Sequence, residues 1–119
     1  MGKTLVIEKL ISEFPELEKD INSNISEYSH VYLHLIFGDI FNPYFHMLLE
    51  KPIENQKELK KAADLLEYMS TSTEAEQEVL VTTVLERLCD DREKTAVFYH
   101  YAGNKTKQFV DGLLRCCRA

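Results

Sequence analysis

Apolar residues recur at helical spacing near the start of the chain, where Pro15 interrupts them. This spacing predicts a first helix over about Thr4 to Phe14. Pro15 can then open a second, short helical stretch that ends near Ile21, because proline suits the first position of a helix. The polar run at residues 22–24 predicts a turn after it. The first fifth of the chain is therefore expected to form two short helical pieces.

The stretch from about Ser26 to Phe41 is apolar on nearly every side. A helix with that pattern has no polar face to present to water, so it is expected to be the central and most buried one. A short β-strand over VYLHLIF is the alternative, because this run is β-branched and aromatic, but its neighbours on both sides are helical. Truncation of Leu35, Ile36 or Phe37 to alanine is expected to cost ~2–5 kcal/mol.

Capping residues and prolines divide the following part of the chain. Asn42-Pro43 predicts the start of a new helix, after a turn or kink between Gly38 and Pro43. Lys51-Pro52 ends that helix, and Asn55 is expected to cap the next one. The stretch from Thr73 to Glu76 fits a capping box, in which the hydroxyl and the carboxylate satisfy free backbone donors at a helix start.

Two further helices complete the prediction. Asp90-Asp91 begins one of them, Gly103-Asn104 ends it, and the last helix runs from Lys105 to about Cys116. Six to seven helices with short connections predict an all-α fold, either a compact bundle or stacked helical hairpins. The length of 119 residues predicts a single helical domain over residues 1–119.

Composition narrows the class of protein further. No apolar run approaches the ~20 residues that a membrane-spanning helix needs, and the first residues lack the apolar core of a signal peptide. We therefore expect a cytoplasmic protein that makes no membrane contact. The three cysteines, Cys89, Cys116 and Cys117, form an odd set that fits neither a disulfide framework nor a CxxC metal site, which predicts reduced thiols. A redox-active or palmitoylated pair at Cys116 and Cys117 is the alternative.

The net charge of −6 is unevenly distributed. Residues 1–49 carry a net charge of −4, residues 50–94 carry −5, and residues 95–119 carry +3. Between Asp64 and Asp91 there are eight carboxylates and a single basic residue, Arg87. Such a surface would repel the phosphates of DNA or RNA, so direct nucleic-acid binding is not expected.

The acidic hairpin between Asp64 and Asp91 is the candidate partner-binding site. Few salt bridges within the helices can offset its repulsion, and a field of one sign attracts a basic partner quickly. Tyr68 is the candidate aromatic anchor, because tyrosine is favoured at interfaces and this one lies beside the polar loop at residues 70–73. A solvated helical face without function is the alternative. The candidate residues are Asp64, Glu67, Tyr68, Glu74, Glu76, Glu78, Glu86, Asp90 and Asp91.

Catalytic and metal-binding patterns are weak in this sequence. His30 and His34 stand four apart, a spacing that can place two imidazoles on one metal, but the glutamate of HExxH is missing. A hydrogen-bonded histidine pair is the simpler interpretation. No GxSxG elbow or Gly-rich phosphate loop is present. We therefore predict a protein that is not an enzyme and that uses no metal or cofactor, although a cysteine with His100 is a conceivable nucleophile pair.

Two hydrophobic helix patterns, VYLHLIFGDIFNPYF (Val31 to Phe45) and VLVTTVLERL (Val79 to Leu88), resemble those of small all-helical bacterial immunity proteins. The resemblance covers about residues 28–101 and is to the immunity proteins of contact-dependent growth inhibition systems. It implies that the chain binds and blocks a secreted toxin domain, often a nuclease. Members of that group share function more than fold, so no contact residue carries over. The alternative functions are an intracellular adaptor or regulatory subunit that docks through a helical groove, and an enzyme of unrecognised type.

Overall fold

Helices make up almost all of the computed structural model, which describes residues 5–116. No β-strand occurs within this range, so the all-α prediction is confirmed and the strand alternative for VYLHLIF is wrong. The elements in chain order are α1 (Leu5–Glu13), a 3-10 turn (Pro15–Leu17), α2 (Glu18–Tyr28), α3 (Leu33–Ile36), the π-helical segment π1 (Phe37–Phe41), α4 (Asn42–Glu50), α5 (Gln56–Ser70), α6 (Glu74–Glu78), the π-helical segment π2 (Val79–Leu85), α7 (Glu86–Cys89), α8 (Arg92–Tyr101) and α9 (Asn104–Cys116).

Two of the helical rods contain a π-helical segment in their middle. The chain runs without interruption through α3, π1 and α4, and again through α6, π2 and α7. No non-helical turn therefore separates Gly38 from Pro43, and Asn42 does not cap a helix start. Instead, Asn42 has helical dihedral angles, and its N–H donates to the carbonyl of Phe37, five residues back. The wider turn relieves the clash that Pro43 would cause in a regular α-helix, which explains how a proline fits inside this rod.

The N-terminal helices also differ from the prediction. Helix α2 runs through residues 22–24, where a turn was expected, because the fully buried Ile21 and the partly buried Ile25 pack it against the core. Burial of these side chains outweighs the weak helix propensity of asparagine and serine. The helix then ends at Ser29, whose left-handed backbone separates α2 from α3. The central helix consequently begins at Leu33 and not near Ser26.

Aromatic residues dominate the centre of the core. Ile36 and Phe37 are fully buried as predicted, whereas Leu35 is only partly buried. The ring of Phe41 lies 5.4 Å from that of Phe37 and 5.1 Å from that of Phe45, measured between ring centroids. Phe45 in turn meets Phe98 of α8 edge to face at 5.3 Å. The rod of α3, π1 and α4 therefore forms the centre of the fold, with π1 at its most buried point.

Of the three residues predicted to cap a helix, Asn42, Asn55 and Thr73, only Thr73 does so, and Asp91 caps the helix that was predicted to begin at Asp90-Asp91. The hydroxyl of Thr73 accepts a hydrogen bond from the N–H of Glu76, and the carboxylate of Asp91 accepts one from the N–H of Lys94. Asn55 precedes α5 without capping it, because its side-chain amide donates to the carbonyl of Leu48. Within residues 5–116, no helix is long and apolar enough to cross a membrane.

Candidate functional site

A line of exposed polar residues follows the rod of α6, π2 and α7 at intervals of four. Its members are Glu74, Glu78, Thr82, Glu86 and Asp90. In an α-helix of 3.6 residues per turn, positions four apart drift around the axis. Four residues are slightly more than one turn of an α-helix but less than one turn of a π-helix, so positions four apart drift in the opposite direction within π2. The two drifts offset each other, and the residues stay on one face. We call the four carboxylates of this line the acidic stripe.

Among residues 5–116, no ion pair neutralises the carboxylates of the acidic stripe. In the described part of the chain, both ion pairs involve Lys94, which lies 3.6 Å from Glu50 and 4.0 Å from Asp91. Arg87 follows Glu86 directly and lines a small cavity toward α4. The structure therefore leaves an uncompensated row of negative charge along one face of this rod.

Glu67 belongs to the predicted site by sequence, but its carboxylate is used inside the fold. It lies at the start of α9, where one oxygen accepts hydrogen bonds from the N–H and the hydroxyl of Thr106 at 2.9 and 2.7 Å. The other oxygen accepts from the N–H of Lys105 at 3.1 Å. A carboxylate at a helix N-terminus satisfies free backbone donors and interacts favourably with the helix dipole. Glu67 thus caps α9 from another helix.

The capping position of Glu67 affects both the residue packed against it and its own pKa. A Cβ atom on Gly103 would lie 2.5 Å from the carboxyl carbon of Glu67, so only glycine permits the close approach. Partial burial by itself would raise the pKa of Glu67. The hydrogen bonds from Thr106 and Lys105 outweigh that effect and hold its pKa below the ordinary value. The carboxylate is therefore ionised in the folded protein over a wide pH range.

Three other predicted site residues lie away from the acidic stripe. Asp91 caps α8 through a 3.0 Å hydrogen bond from the N–H of Lys94. Glu76 is partly buried in the first turn of α6, and its Oε1 atom has no hydrogen-bond partner within the described residues. Asp64 is exposed, but it lies on α5, one turn after Lys60. Of the eight predicted carboxylates, the structure therefore brings together four, all on one rod.

Tyr68, the candidate aromatic anchor, is in contact with a lysine of another helix. The ammonium of Lys9, on α1, lies 4.8 Å from the centroid of the Tyr68 ring, and the side chain is only partly exposed. This cation–π contact ties α1 to α5. The contact was not foreseen because Lys9 is distant in sequence from Tyr68, and the role of Tyr68 as an anchor stays a prediction.

The two histidines considered for a metal site do not share a helix face. His30 precedes the start of α3, and its ring lies 4.6 Å from that of Tyr32. His34 lies within α3 and is hydrogen bonded through Nδ1 to the hydroxyl of Thr83. Within residues 5–116, no group of three or more His, Cys, Asp or Glu side chains is placed to hold a metal ion. Cys117 and the side chain of Cys116 lie outside the described residues.

A contact between the start of α4 and π2 was not foreseen from the sequence. Asn42 is almost fully buried, and its amide donates to the carbonyl of Thr83 at 2.9 Å. A cavity of about 160 Å³ opens beside it, lined by Gly38, Asn42, Pro43, His46 and Arg87. Burial and the nearby Lys94 lower the pKa of His46, so its imidazole is neutral at pH 7. The sequence feature that could have indicated this contact was an asparagine and a proline inside one apolar stretch. The same pattern is equally typical of a helix start.

Comparison with known proteins gives one match. A family model described as a domain of unknown function (DUF7674) matches residues 7–116, which is nearly the whole chain. No curated protein and no solved structure matches the chain significantly. The comparison therefore defines a family, while the candidate function has to be argued from the surface.

Proposed function

Since the chain belongs to the DUF7674 family, we propose a function for it from its surface: it is a non-catalytic module that binds and blocks a basic protein. The observation that carries the proposal is the acidic stripe, four exposed carboxylates on one face with no ion pair to any other described residue. The resemblance of residues 28–101 to bacterial immunity proteins suggests the class of partner, a secreted toxin domain. A cytoplasmic location follows from the same proposal, because immunity requires the inhibitor to meet the toxin inside the cell.

The electrostatics of the acidic stripe fit a nuclease partner in particular. A nuclease binds phosphates through a basic surface, and a row of carboxylates can occupy that surface in place of the nucleic acid. A field of one sign also speeds the encounter between the two proteins. The Debye length falls from ~10 Å at 0.1 M salt to ~3 Å at 1 M, so association should slow as salt rises. Dissociation should respond less, because it depends mainly on close contacts.

The test is co-expression with candidate basic toxin domains, scored by growth and by binding kinetics. The stripe variant replaces Glu74, Glu78 and Glu86 with lysine. Its matched control replaces Glu8, Asp39 and Glu54, three exposed carboxylates outside the acidic stripe, with lysine. Both variants change the net charge by the same amount.

The stripe variant should associate more slowly and protect less well than the control. Circular dichroism and thermal melting must first show that both variants are folded. If the stripe variant is folded and protects as well as the parent, the acidic stripe is only a solvated face and the proposal fails.

A groove between α8 and α9 favours a second candidate function, that of an adaptor or regulatory subunit. It has a volume of about 370 Å³, and its lining includes Ala96, Tyr99 and Leu114. An apolar helix from a partner could dock there through side chains at positions i and i+4. Ala96→Glu would abolish that mode of binding and leave a complex through the acidic stripe intact. Loss of all partner binding in the Ala96→Glu variant, with binding retained in the stripe variant, would favour the adaptor.

A further inference from the structure

Three aromatic side chains form an exposed cluster where α2 gives way to α3. We call it the aromatic cluster, and it consists of Tyr28, His30 and Tyr32. The rings of Tyr28 and Tyr32 meet edge to face with centroids 6.0 Å apart, and the His30 ring lies 4.6 Å from that of Tyr32. Each tyrosine nevertheless remains 47% exposed, although tyrosines in a fold of this size could bury most of their rings. The contacts hold the rings together without covering their outer surfaces.

The backbone fixes the aromatic cluster in place. Ser29 has φ 53° and ψ 30°, a left-handed conformation that residues other than glycine rarely adopt. The N–H groups of Ser29 and His30 both donate to the carbonyl of Ile25, which closes the end of α2. The strain of a left-handed serine persists only where surrounding structure requires it. The three rings are therefore preorganised by the chain reversal at Ser29.

The aromatic cluster differs from the aromatic rings that this fold covers with its own lysines. Lys9 lies over Tyr68, Lys107 over Tyr99 and Lys105 over Phe109, at 4.8 to 5.7 Å from the ring centroids. Among the described residues, no such contact involves the aromatic cluster. The sequence from residue 20 to residue 50 contains four carboxylates and neither lysine nor arginine, so no neighbour in sequence could supply one.

The aromatic cluster is also connected to the rod that carries the acidic stripe. His34, two residues after Tyr32, is hydrogen bonded to Thr83 of π2. Thr83 follows Thr82, the neutral member of the exposed line between Glu78 and Glu86. The segment that follows the aromatic cluster is therefore hydrogen bonded to the middle of the rod that carries the acidic stripe.

From these observations we infer that the aromatic cluster is a binding site for a cationic side chain of the partner, an arginine in particular. The inference rests on the proposed function and names a second part of the same interface. A guanidinium stacks on aromatic faces and is less strongly hydrated than an ammonium, so it gains more from this contact than lysine does. Glu27, exposed beside Tyr28, adds a carboxylate for its charge. The acidic stripe attracts the partner, and the aromatic cluster slows its departure.

The test measures binding of a deca-arginine peptide to the whole chain by surface plasmon resonance, with deca-lysine as the comparison peptide. Tyr32→Ala and Tyr28→Ala should each weaken deca-arginine binding by about fivefold, mainly through faster dissociation. Tyr32→Phe should restore parental binding, because the ring face is retained. Tyr101→Ala removes an aromatic ring outside both the aromatic cluster and the α8–α9 groove and should leave the affinity unchanged. The loss should be smaller for deca-lysine.

The two proposals fail in different ways in this experiment. If Tyr28→Ala and Tyr32→Ala, shown to be folded, bind deca-arginine as tightly as the parent, the aromatic site is refuted. If binding is then still lost in the stripe variant, the proposed function survives without it. If the stripe variant binds deca-arginine normally while Tyr32→Ala weakens it, the aromatic site stands and the acidic stripe is the part that fails.

Discussion

Glu67 and Glu78 are the same residue type in one acidic hairpin, yet the fold uses them in opposite ways. Glu67 accepts three hydrogen bonds from the start of α9, whereas Glu78 is exposed on the acidic stripe. A count of charges along the sequence treats them as equal. The difference shows that a carboxylate is available to a partner only if no helix start elsewhere in the fold requires it.

The largest effect on the free energy of unfolding should come from Glu67→Ala. Its removal leaves two backbone N–H groups and a hydroxyl of α9 without their acceptor, and hydrogen bonds to a charged group contribute ~1.5–3 kcal/mol. We expect a loss of about 2–3 kcal/mol in the free energy of unfolding, measured by urea denaturation. Glu78→Ala, the matched control, should stay within about 0.5 kcal/mol of the parent. Equal losses in the two variants would contradict the distinction between an internal and a surface carboxylate.

Gly103→Ala should have the next largest effect. The added methyl group would lie 2.5 Å from the carboxyl carbon of Glu67, so the cap must shift, at a cost of about 1–3 kcal/mol. The cost should be smaller in a Glu67→Ala background, where the obstructing side chain is absent. A double-mutant cycle on unfolding free energies measures this coupling. Strict additivity would show that Gly103 is required for another reason.

The acid dependence of stability separates the two kinds of carboxylate further. The pKa of Glu67 is lower in the folded protein than its ordinary value of 4.5, so the unfolded state binds more protons in that range. Its contribution is therefore present above pH 4.5 and is lost as the pH falls through the folded pKa. Glu67→Gln should flatten the acid limb of the stability curve between pH 5 and 3, as followed by thermal melting at each pH. An unchanged acid limb would argue against the capping role of this carboxylate.

The smallest effect on stability is expected from a substitution within the acidic stripe. Glu74 and Glu78 are four residues apart, and like charges at that spacing destabilise a helix by ~0.2–0.5 kcal/mol. Glu78→Gln should therefore stabilise the protein slightly at low salt, and the gain should vanish in 1 M salt because the repulsion is screened. Thermal melts at both ionic strengths provide the measurement. A destabilised variant would mean that Glu78 has a structural partner after all.

Local signals in the sequence predicted much of the fold. The sequence predicts Thr73 as a helix cap and a helix start at Asp90-Asp91, because a cap side chain and the N–H that donates to it lie within three residues, and both predictions are confirmed. Ile36 and Phe37 were identified as core residues from the density of apolar side chains around them. The break at Ser29 was missed, since serine in a left-handed conformation has no sequence signature comparable to glycine.

The candidate site was less predictable because its residues are defined by distant partners. Glu67 is satisfied by Thr106 and Tyr68 is covered by Lys9, and neither partner is near in sequence. The alignment of the acidic stripe was hidden for a different reason: a period of four does not fit an ideal α-helix, and no residue pattern indicated π2. Only the number of carboxylates and the isolation of Arg87 could be recognised beforehand.

The alignment of the acidic stripe depends on the helical geometry of π2 as well as on the residues that carry the charge. A π-helical turn accommodates one more residue than the α-helical turn it replaces. Deletion of Val81 would allow the rod to become a regular α-helix without turning Glu86 and Asp90 relative to Glu74 and Glu78, because the extra residue and the wider turn would be lost together. If the rod became a regular α-helix with every residue kept, these two pairs would rotate by about 100° relative to each other. No carboxylate would be lost, yet the row of charge would be divided between two faces. The π-helical geometry of one segment thus sets the angle between the two halves of a charged surface.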